Sequence, residues 1–309
     1  MAIPFLREFS PDYGSLVAAH PAIALVRRVV ARNPSPFTAW GTGTYVIGHG
    51  EVAVVDPGPA DETHVAALVA GLKGETVTHI LVTHTHIDHS PGVPILLRSF
   101  PHARTYGFGR ATEEIDADVA DAVKIEEGGD TDFVPDIRLK DGDRIVTPQW
   151  EVEALHTPGH MSNHMCYALK TSNALFSGDH VMGWSTTVVS PPDGNMAHYM
   201  QSLEKLIQRA SSGIDASYFP THGAPITEVP PFLAAYKAHR LERETMIVTR
   251  LAAGDTKIAE MVRVIYKDVD NRLHPAAARS VLAHLQWLVE KGRVRIDGAL
   301  SVHASFALV

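Results

Sequence analysis

Cysteine is almost absent from this 309-residue chain: Cys166 stands alone. One thiol cannot close an intrachain disulfide, and it excludes any zinc site built on two or more thiolates of this chain. Aromatic residues are sparse, at 7%, and no apolar run reaches the ~20 residues that a membrane helix needs. The stretch 1–13 carries Pro4, Arg7, Glu8 and Asp12 without an apolar core, so it does not read as a secretory leader. The expectation is a cytoplasmic protein without a membrane partner. Excess positive charge is also missing. A net charge of -8 argues against a surface coated for duplex DNA, although it leaves room for a local basic groove. What is present is an ordinary globular mixture, 45% hydrophobic and 20% charged, with 18 histidines. That is enough apolar residue for a large core without covalent staples. With histidine so frequent and cysteine so rare, imidazole and oxygen would dominate any metal site.

The first half reads as short strands alternating with short helices. Residues 44–48 and 52–55 are β-rich runs around a Gly48-His49-Gly50 turn, closed by Asp56-Pro57-Gly58-Pro59. Helical spacing follows over 62–72, then a strand over 79–82, a short helix over 95–100 and a strand over 104–108. The segment 113–143 is strongly acidic and reads as a solvated face or loop, or as a surface that discourages polyanions. Strands are expected over 150–155, 165–169, 174–176 and 217–220, with a helix over 200–210. A long helix is expected over 232–251, two amphipathic helices over 258–266 and 276–290, and short strands over 294–296 and 302–307. Helix, helix and hairpin is a winged-helix-like order. The charge divides at the same place, net +3 over 240–309 against net -11 before it. The expected domains are 1–239 and 240–309.

The chemistry concentrates in His84-x-His86-x-Asp88-His89. Three imidazoles and a carboxylate follow an apolar strand directly. A spacing of two puts His84 and His86 on a common side, while Asp88 and His89 turn toward a second point. The pattern suits two metals, and its donors suit zinc, iron or manganese. Three more candidates each sit just past an expected strand and beside a glycine that permits a tight turn. They are His160 in Thr157-Pro158-Gly159-His160, Asp179 in Ser177-Gly178-Asp179, and His222 in Pro220-Thr221-His222-Gly223. Asp56 is placed to buttress a ligating histidine. His164 reads as an outer donor, a leaving-group acid or a histidine bonded to backbone, and His180 carries a similar ambiguity. Cys166, within a strand, reads as core.

With these residues in hand, the chain resembles the metallo-β-lactamase fold superfamily, an α/β class with an αββα sandwich. More closely it resembles the lactamase-β-like-protein-2 group, which adds a small C-terminal winged-helix-like domain. The likeness includes Gly41-Thr42-Gly43-Thr44-Tyr45, Val55-Asp56-Pro57-Gly58, the His84 motif, the segments around His160, Asp179 and His222, and the tail from Leu282 to Val294. Carried over by position, it implies that His84, His86 and His160 hold a first metal. Asp88, His89 and His222 would hold a second, and Asp179 would bridge. Two divalent ions are thereby expected, zinc first, with iron or manganese as alternatives. An aspartate at the bridging position points away from zinc β-lactamases with a cysteine ligand, toward hydroxyacylglutathione-hydrolase-like and ribonuclease-like branches. Two positions depart from the group: Ser90-Pro91-Gly92 replaces a Gly-Gly turn, and Gly43 stands where the group has Asn.

The expected mechanism is hydrolysis by a hydroxide bridging two metals ~3.5–4 Å apart, with Asp88 and His164 as catalytic candidates for handling protons. Cleavage of an ester or thioester in a small-molecule acyl substrate is the first expectation. Phosphodiester cleavage in single-stranded RNA is the second, with residues 240–309 as platform, although those residues lack the aromatic-studded basic stripe that single-strand binders use. A non-catalytic metal-binding protein is the third. Those residues could equally form a lid or a homodimer surface. Met182, Trp184 and Met196 read either as an apolar substrate rim or as core.

Overall fold

Strands buried on both faces build the molecule, which explains why they read as apolar runs rather than alternations. The structure is a computed structural model describing residues 3–5, 9–111 and 128–309. The acidic positions 113–127 lie outside the described residues. One sheet holds seven strands in chain order: β1 (Val17–Ala18), β2 (Val26–Val30), β3 (Gly43–Ile47), β4 (Glu51–Val55), β5 (Thr76–Leu81), β6 (Arg104–Gly107) and β7 (Ile137–Arg138). A second sheet holds β8 (Arg144–Val146), β9 (Glu151–His156), β10 (Met165–Leu169), β11 (Ala174–Gly178) and β12 (Ser217–Pro220), ordered β12-β11-β10-β9-β8.

The period of two sorts each strand's side chains into different cores. In β4, Ala53 and Val55 join the core between the sheets, while Val52 and Val54 pack outward. In β10, Met165, Tyr167 and Leu169 point between the sheets, and Cys166 and Ala168 point away. Helices α1 (Glu62–Gly71) and α2 (Val93–Ser99) cover the first sheet through Val65, Leu68, Val93 and Leu96. Helices α3 (Met196–Ser211) and α4 (Val229–Ala252) cover the second through Tyr199, Leu203, Phe232 and Tyr236. This is the αββα sandwich. Met196 belongs to that outer core at 1% exposure, so of the three residues weighed as a substrate rim it is core.

After α4 come α5 (Ile258–Ile265), α6 (His274–Glu290) and the antiparallel pair β13 (Val294–Asp297) and β14 (Ser305–Leu308). They close a separate small core with Ile247 and Leu251 of α4. Helix α4 runs without a break through position 240 and serves both cores. Arg279 of α6 donates to the Pro191 carbonyl, and Ala283 reaches the core under α3, so α6 docks against the sandwich.

Strand β2 (VRRVV) is missing from the sequence reading, because Arg27 and Arg28 interrupt its apolar character. Arg27 pairs with Glu75 at 2.7 Å. Arg28 is buried and donates to the Gly223 carbonyl at 3.1 Å. The described part of the acidic run is more engaged than a solvated face: Asp130 accepts from Ser90 Oγ at 2.6 Å and Asp136 from Thr105 N at 2.9 Å.

His64 in α1 is buried, with Nε2 2.8 Å from Thr44 Oγ1. Burial is the main reason that its pKa falls to about 4. The folded value lies below that of the unfolded chain, so the unfolded state takes up the proton first on acidification. Stability is therefore undiminished above about pH 6.5 and is lost as pH falls toward 4, at up to ~1.4 kcal/mol per pH unit for this group. Urea midpoints measured between pH 7 and 5 should fall less steeply in His64→Gln than in the wild type. Equal slopes would remove His64 from the acid response.

Candidate metal centre

Strand direction brings the candidates together. β4 and β5 are parallel, as are β11 and β12, and β9 and β11 are both antiparallel to β10. The C-terminal ends of β9, β11 and β12 therefore lie on one edge of the second sheet. They deliver His160, Asp179 and His222 opposite the loop that follows β5. Two glycines make this delivery possible. Gly159 has φ +140°, and a Cβ there would lie 2.3 Å from the Tyr199 Cα; Gly178 has φ +51°, and a Cβ there would lie 2.6 Å from His164 Nε2.

The seven residues converge in three overlapping groups that could hold metal ions: His84, His86 and His160; His84, His89 and Asp179; Asp88, His89 and His222. His86 Nδ1 is 3.0 Å from His84 Nε2 and 3.1 Å from His160 Nε2. His222 Nε2 is 3.3 Å from Asp88 Oδ2 and 3.2 Å from Asp179 Oδ2. His89 Nε2 is 3.3 Å from Asp88 Oδ1. Asp179 faces both sides, with Oδ2 3.8 Å from His160 Nε2.

Outer hydrogen bonds decide which nitrogen of each ring faces inward. His160 Nδ1 lies 2.7 Å from the Val188 carbonyl and His222 Nδ1 3.2 Å from that of Gly41. A carbonyl only accepts, so each Nδ1 carries the proton and Nε2 presents a lone pair in the neutral ring. Asp56 organises two more. Its Oδ1 accepts from Thr83 N at 2.7 Å and its Oδ2 from Thr83 Oγ1 at 2.7 Å. The same Oδ2 lies 2.9 Å from His89 Nδ1. Because Thr83 Oγ1 gives its proton to Asp56, it accepts from His84 Nδ1 at 3.0 Å. The Nε2 lone pairs of His84 and His160 thus both face His86 Nδ1 at ~3 Å, where a cation or a proton is needed between them. His89 Nε2 and Asp179 Oδ1 are buried and form no hydrogen bond among the described residues. A divalent cation fits this donor set of imidazole nitrogens and carboxylate oxygens.

The electrostatics agree. Burial holds His84 well below its ordinary pKa and His86 down to about 3, with neighbouring imidazoles adding to the effect, so both rings are neutral. Burial would also lower His89 and His222, but Asp88 and Asp179 outweigh it; His89 rises to about 9 and His222 well above its ordinary value. Asp179 is held below the usual carboxylate range, since His222 and His89 outweigh its burial. Two buried carboxylates demand positive charge here, from protons on these rings or from cations.

His164 sits behind the ligands and is fully buried. Its Nε2 accepts from Asp179 N at 3.1 Å, and its Nδ1 lies 2.9 Å from Thr157 Oγ1. Both nitrogens are engaged in these contacts, one of them with the Asp179 backbone. His180 packs on Tyr199 with ring centroids 4.5 Å apart. Cys166 is buried in β10, and burial pushes its thiol up to about 12. Sequence reasoning missed Thr42, whose Oγ1 donates to Asp88 Oδ2 at 2.7 Å, and Thr83; a threonine beside a ligand carries no signal of its own. Where the group has Asn, a Cβ on Gly43 would lie 3.2 Å from Arg28 Cδ, so Arg28 occupies that space.

A small cavity opens onto His86, His160 and Asp179. Met182 and Trp184, which the sequence left open between rim and core, line it with Phe37 and Val188. No described helix is long and apolar enough to cross a membrane.

Comparison with known proteins agrees with this architecture. Residues 38–222 match the metallo-beta-lactamase superfamily, and residues 258–301 match the beta-lactamase associated winged helix domain. An atrochrysone carboxyl ACP thioesterase of Aspergillus chevalieri is 30% identical over 285 residues, 90% of this chain and 83% of that protein. A beta-lactamase-like protein 2 homolog of Drosophila melanogaster is 30% identical over 283 residues, 88% of this chain and 90% of that protein. A beta-lactamase domain protein from Burkholderia ambifaria superposes with a TM-score of 0.77 at 22% identity, covering 98% of this chain and 96% of that one. The chain belongs to the metallo-β-lactamase superfamily of hydrolases and carries that superfamily's associated winged helix domain.

Proposed function

We propose that the chain hydrolyses an acyl thioester or ester at a two-metal site. The observation that carries this reading is the convergence of inward-facing imidazole and carboxylate donors beneath a cavity with an apolar wall. In this reading His84, His86 and His160 hold one cation, Asp88, His89 and His222 hold the other, and Asp179 faces both. Zinc suits the donors best, and iron or manganese fits the same atoms. When bound, the ions supply Lewis-acid polarisation and acidify a water toward neutrality.

The chain's own residues supply the rest. Asp56 and Thr83 fix the tautomers of His84 and His89. His164 orients the Asp179 backbone. Asp88, its Oδ2 held by Thr42, is placed to hold or pass a proton next to the reacting carbonyl. Phe37, Met182, Trp184 and Val188 offer an apolar surface to an acyl group and exclude water from it. The thioesterase relative supports an acyl substrate. The docking of α6 against the sandwich supports a structural role for the C-terminal domain over an RNA platform, since Ala283 is buried in the sandwich's outer core and Arg279 holds the Pro191 carbonyl.

On metal-quantified protein, a thioester and lactone panel should be turned over, with at least a ~10²-fold loss in His86→Ala. Fluorescent single-stranded RNA should remain intact. RNA cleavage lost in His86→Ala would replace the acyl reading by phosphodiester chemistry.

Asp56→Asn should weaken metal affinity by ~10–100-fold, read by chelator competition, with far-UV circular dichroism unchanged. The amide keeps the shape of the carboxylate but offers a single acceptor oxygen to the Thr83 amide, the Thr83 hydroxyl and His89 Nδ1. Unaltered affinity would mean that Asp56 supports only the turn.

A further inference from the structure

A second cavity lies against the first, and Phe37, Ser185, Thr186 and Val188 line both. Its far wall comes from α4 and the C-terminal domain, and it carries Arg240, Arg243 and Tyr266. The two arginines are unusual on α4. Their neighbours form ion pairs: Lys237 with Glu204, Glu244 with Lys291 and Arg293, and Arg250 with Asp255. Arg240 and Arg243 form none among the described residues. Arg240 is 3% exposed; it donates to the Thr187 carbonyl and lies 4.9 Å from the centre of the Tyr199 ring. Its Nε has no hydrogen-bond acceptor among the described residues. Arg243 lies 4.4 Å from the centre of the Tyr266 ring, and its one contact with a carbonyl, that of Ile265, is at 3.5 Å.

Burying a guanidinium without a carboxylate is costly unless an anion meets it. The resulting field is felt nearby: burial first, then Arg240 and Arg243, hold His239 down to about 4. Two planar guanidiniums on one wall are suited to the oxygens of a phosphate. The wall shared with the metal-site cavity is partly apolar, through Phe37 and Val188. An acyl group at the metals and an anion at the arginines would therefore be the two ends of one elongated molecule.

We propose that this cavity binds the phosphate of the substrate's thiol-bearing arm, a phosphopantetheine-type group, while its thioester lies at the metal centre. The inference rests on the acyl-hydrolase reading and adds to it the side on which the leaving group lies. The net negative charge of the chain, -8, favours one anionic group over a polyanionic strand. Thr187 links the two cavities, since its carbonyl accepts from Arg240 and its Oγ1 donates to the Asp179 carbonyl at 2.6 Å.

The test uses probes that cannot turn over: the S-methyl thioethers of 4′-phosphopantetheine and of pantetheine, titrated calorimetrically into metal-loaded full-length protein. The phosphorylated probe should bind at least ~10-fold more tightly than the other. Arg243→Gln should reduce that ratio to near one, and Arg243→Lys should restore part of it. Arg243 is only half-buried, so the variant is expected to fold; equal melting temperatures for the two variants check this. Equal binding of both probes to the wild type overturns the proposal. Inorganic phosphate binding as tightly as the phosphorylated probe would assign the site to a free anion and overturn it too. Displacement of that probe by oligouridylate at lower concentration than by the unphosphorylated thioether would assign the arginines to RNA. None of these titrations depends on catalysis. Loss of the phosphate preference sinks this inference and leaves the hydrolase reading standing; a negative thioester assay with the preference retained sinks the hydrolase reading and reduces this site to one for a phosphorylated ligand that is not a substrate.

Discussion

The buried carboxylate of Asp56 is the interaction on which the metal centre depends. It sits at the end of β4 with φ +48°, a left-handed conformation that costs energy for any residue but glycine. That backbone aims the carboxylate across to the end of β5, where it takes both the amide and the hydroxyl of Thr83. Through Thr83 it sets the tautomer of His84, and directly it sets that of His89. One side chain thereby determines the lone-pair direction of a histidine in each half of the donor cluster. A buried carboxylate is tolerable here because every donor around it is satisfied by it.

The sandwich works as a positioning device for the same reason that it is stable. Both faces of its central strands are buried, so a register slip of one residue would exchange two cores at once. Register is held accordingly, and with it the positions at which β5, β9, β11 and β12 release their loops. Gly159 and Gly178 then let those loops turn where another residue would collide with Tyr199 or His164. The neutral His84 and His86 face the acidic pair of Asp88 and Asp179 across a few ångströms. The cluster therefore combines lone pairs and negative charge at one point, which is what a cation requires.

The C-terminal domain is tied to the site by α4, a single helix shared by two cores. Its sandwich half packs Phe232 and Tyr236 behind the second sheet, and its far half anchors the winged helix through Ile247 and Leu251. Arg240 and Arg243 lie between these halves, so the cationic wall is built where the two parts meet. Tyr236 OH accepts from the backbone amide of Met182 at 3.0 Å, which joins the same helix to the loop that lines the metal-site cavity.

Much of this was legible in the amino-acid order alone. The β10 and β12 spans follow from β-rich runs, the winged-helix order from amphipathic periods, and all seven metal-ligand candidates from histidine and aspartate placed just after strands. These are local signals, written within a few residues. The strand β2 was hidden, because Arg27 and Arg28 find their partners in Glu75 and Gly223, far along the chain. The contact of His164 with the Asp179 backbone, the core position of Met196 and the hydrogen bond from Thr42 to Asp88 were likewise set by packing between distant segments. That Arg240 and Arg243 form no ion pair among the described residues is a property of what surrounds them in three dimensions. Sequence spacing determines which groups are available; the tertiary structure decides which way each lone pair and each charge points, because that depends on partners brought together by folding.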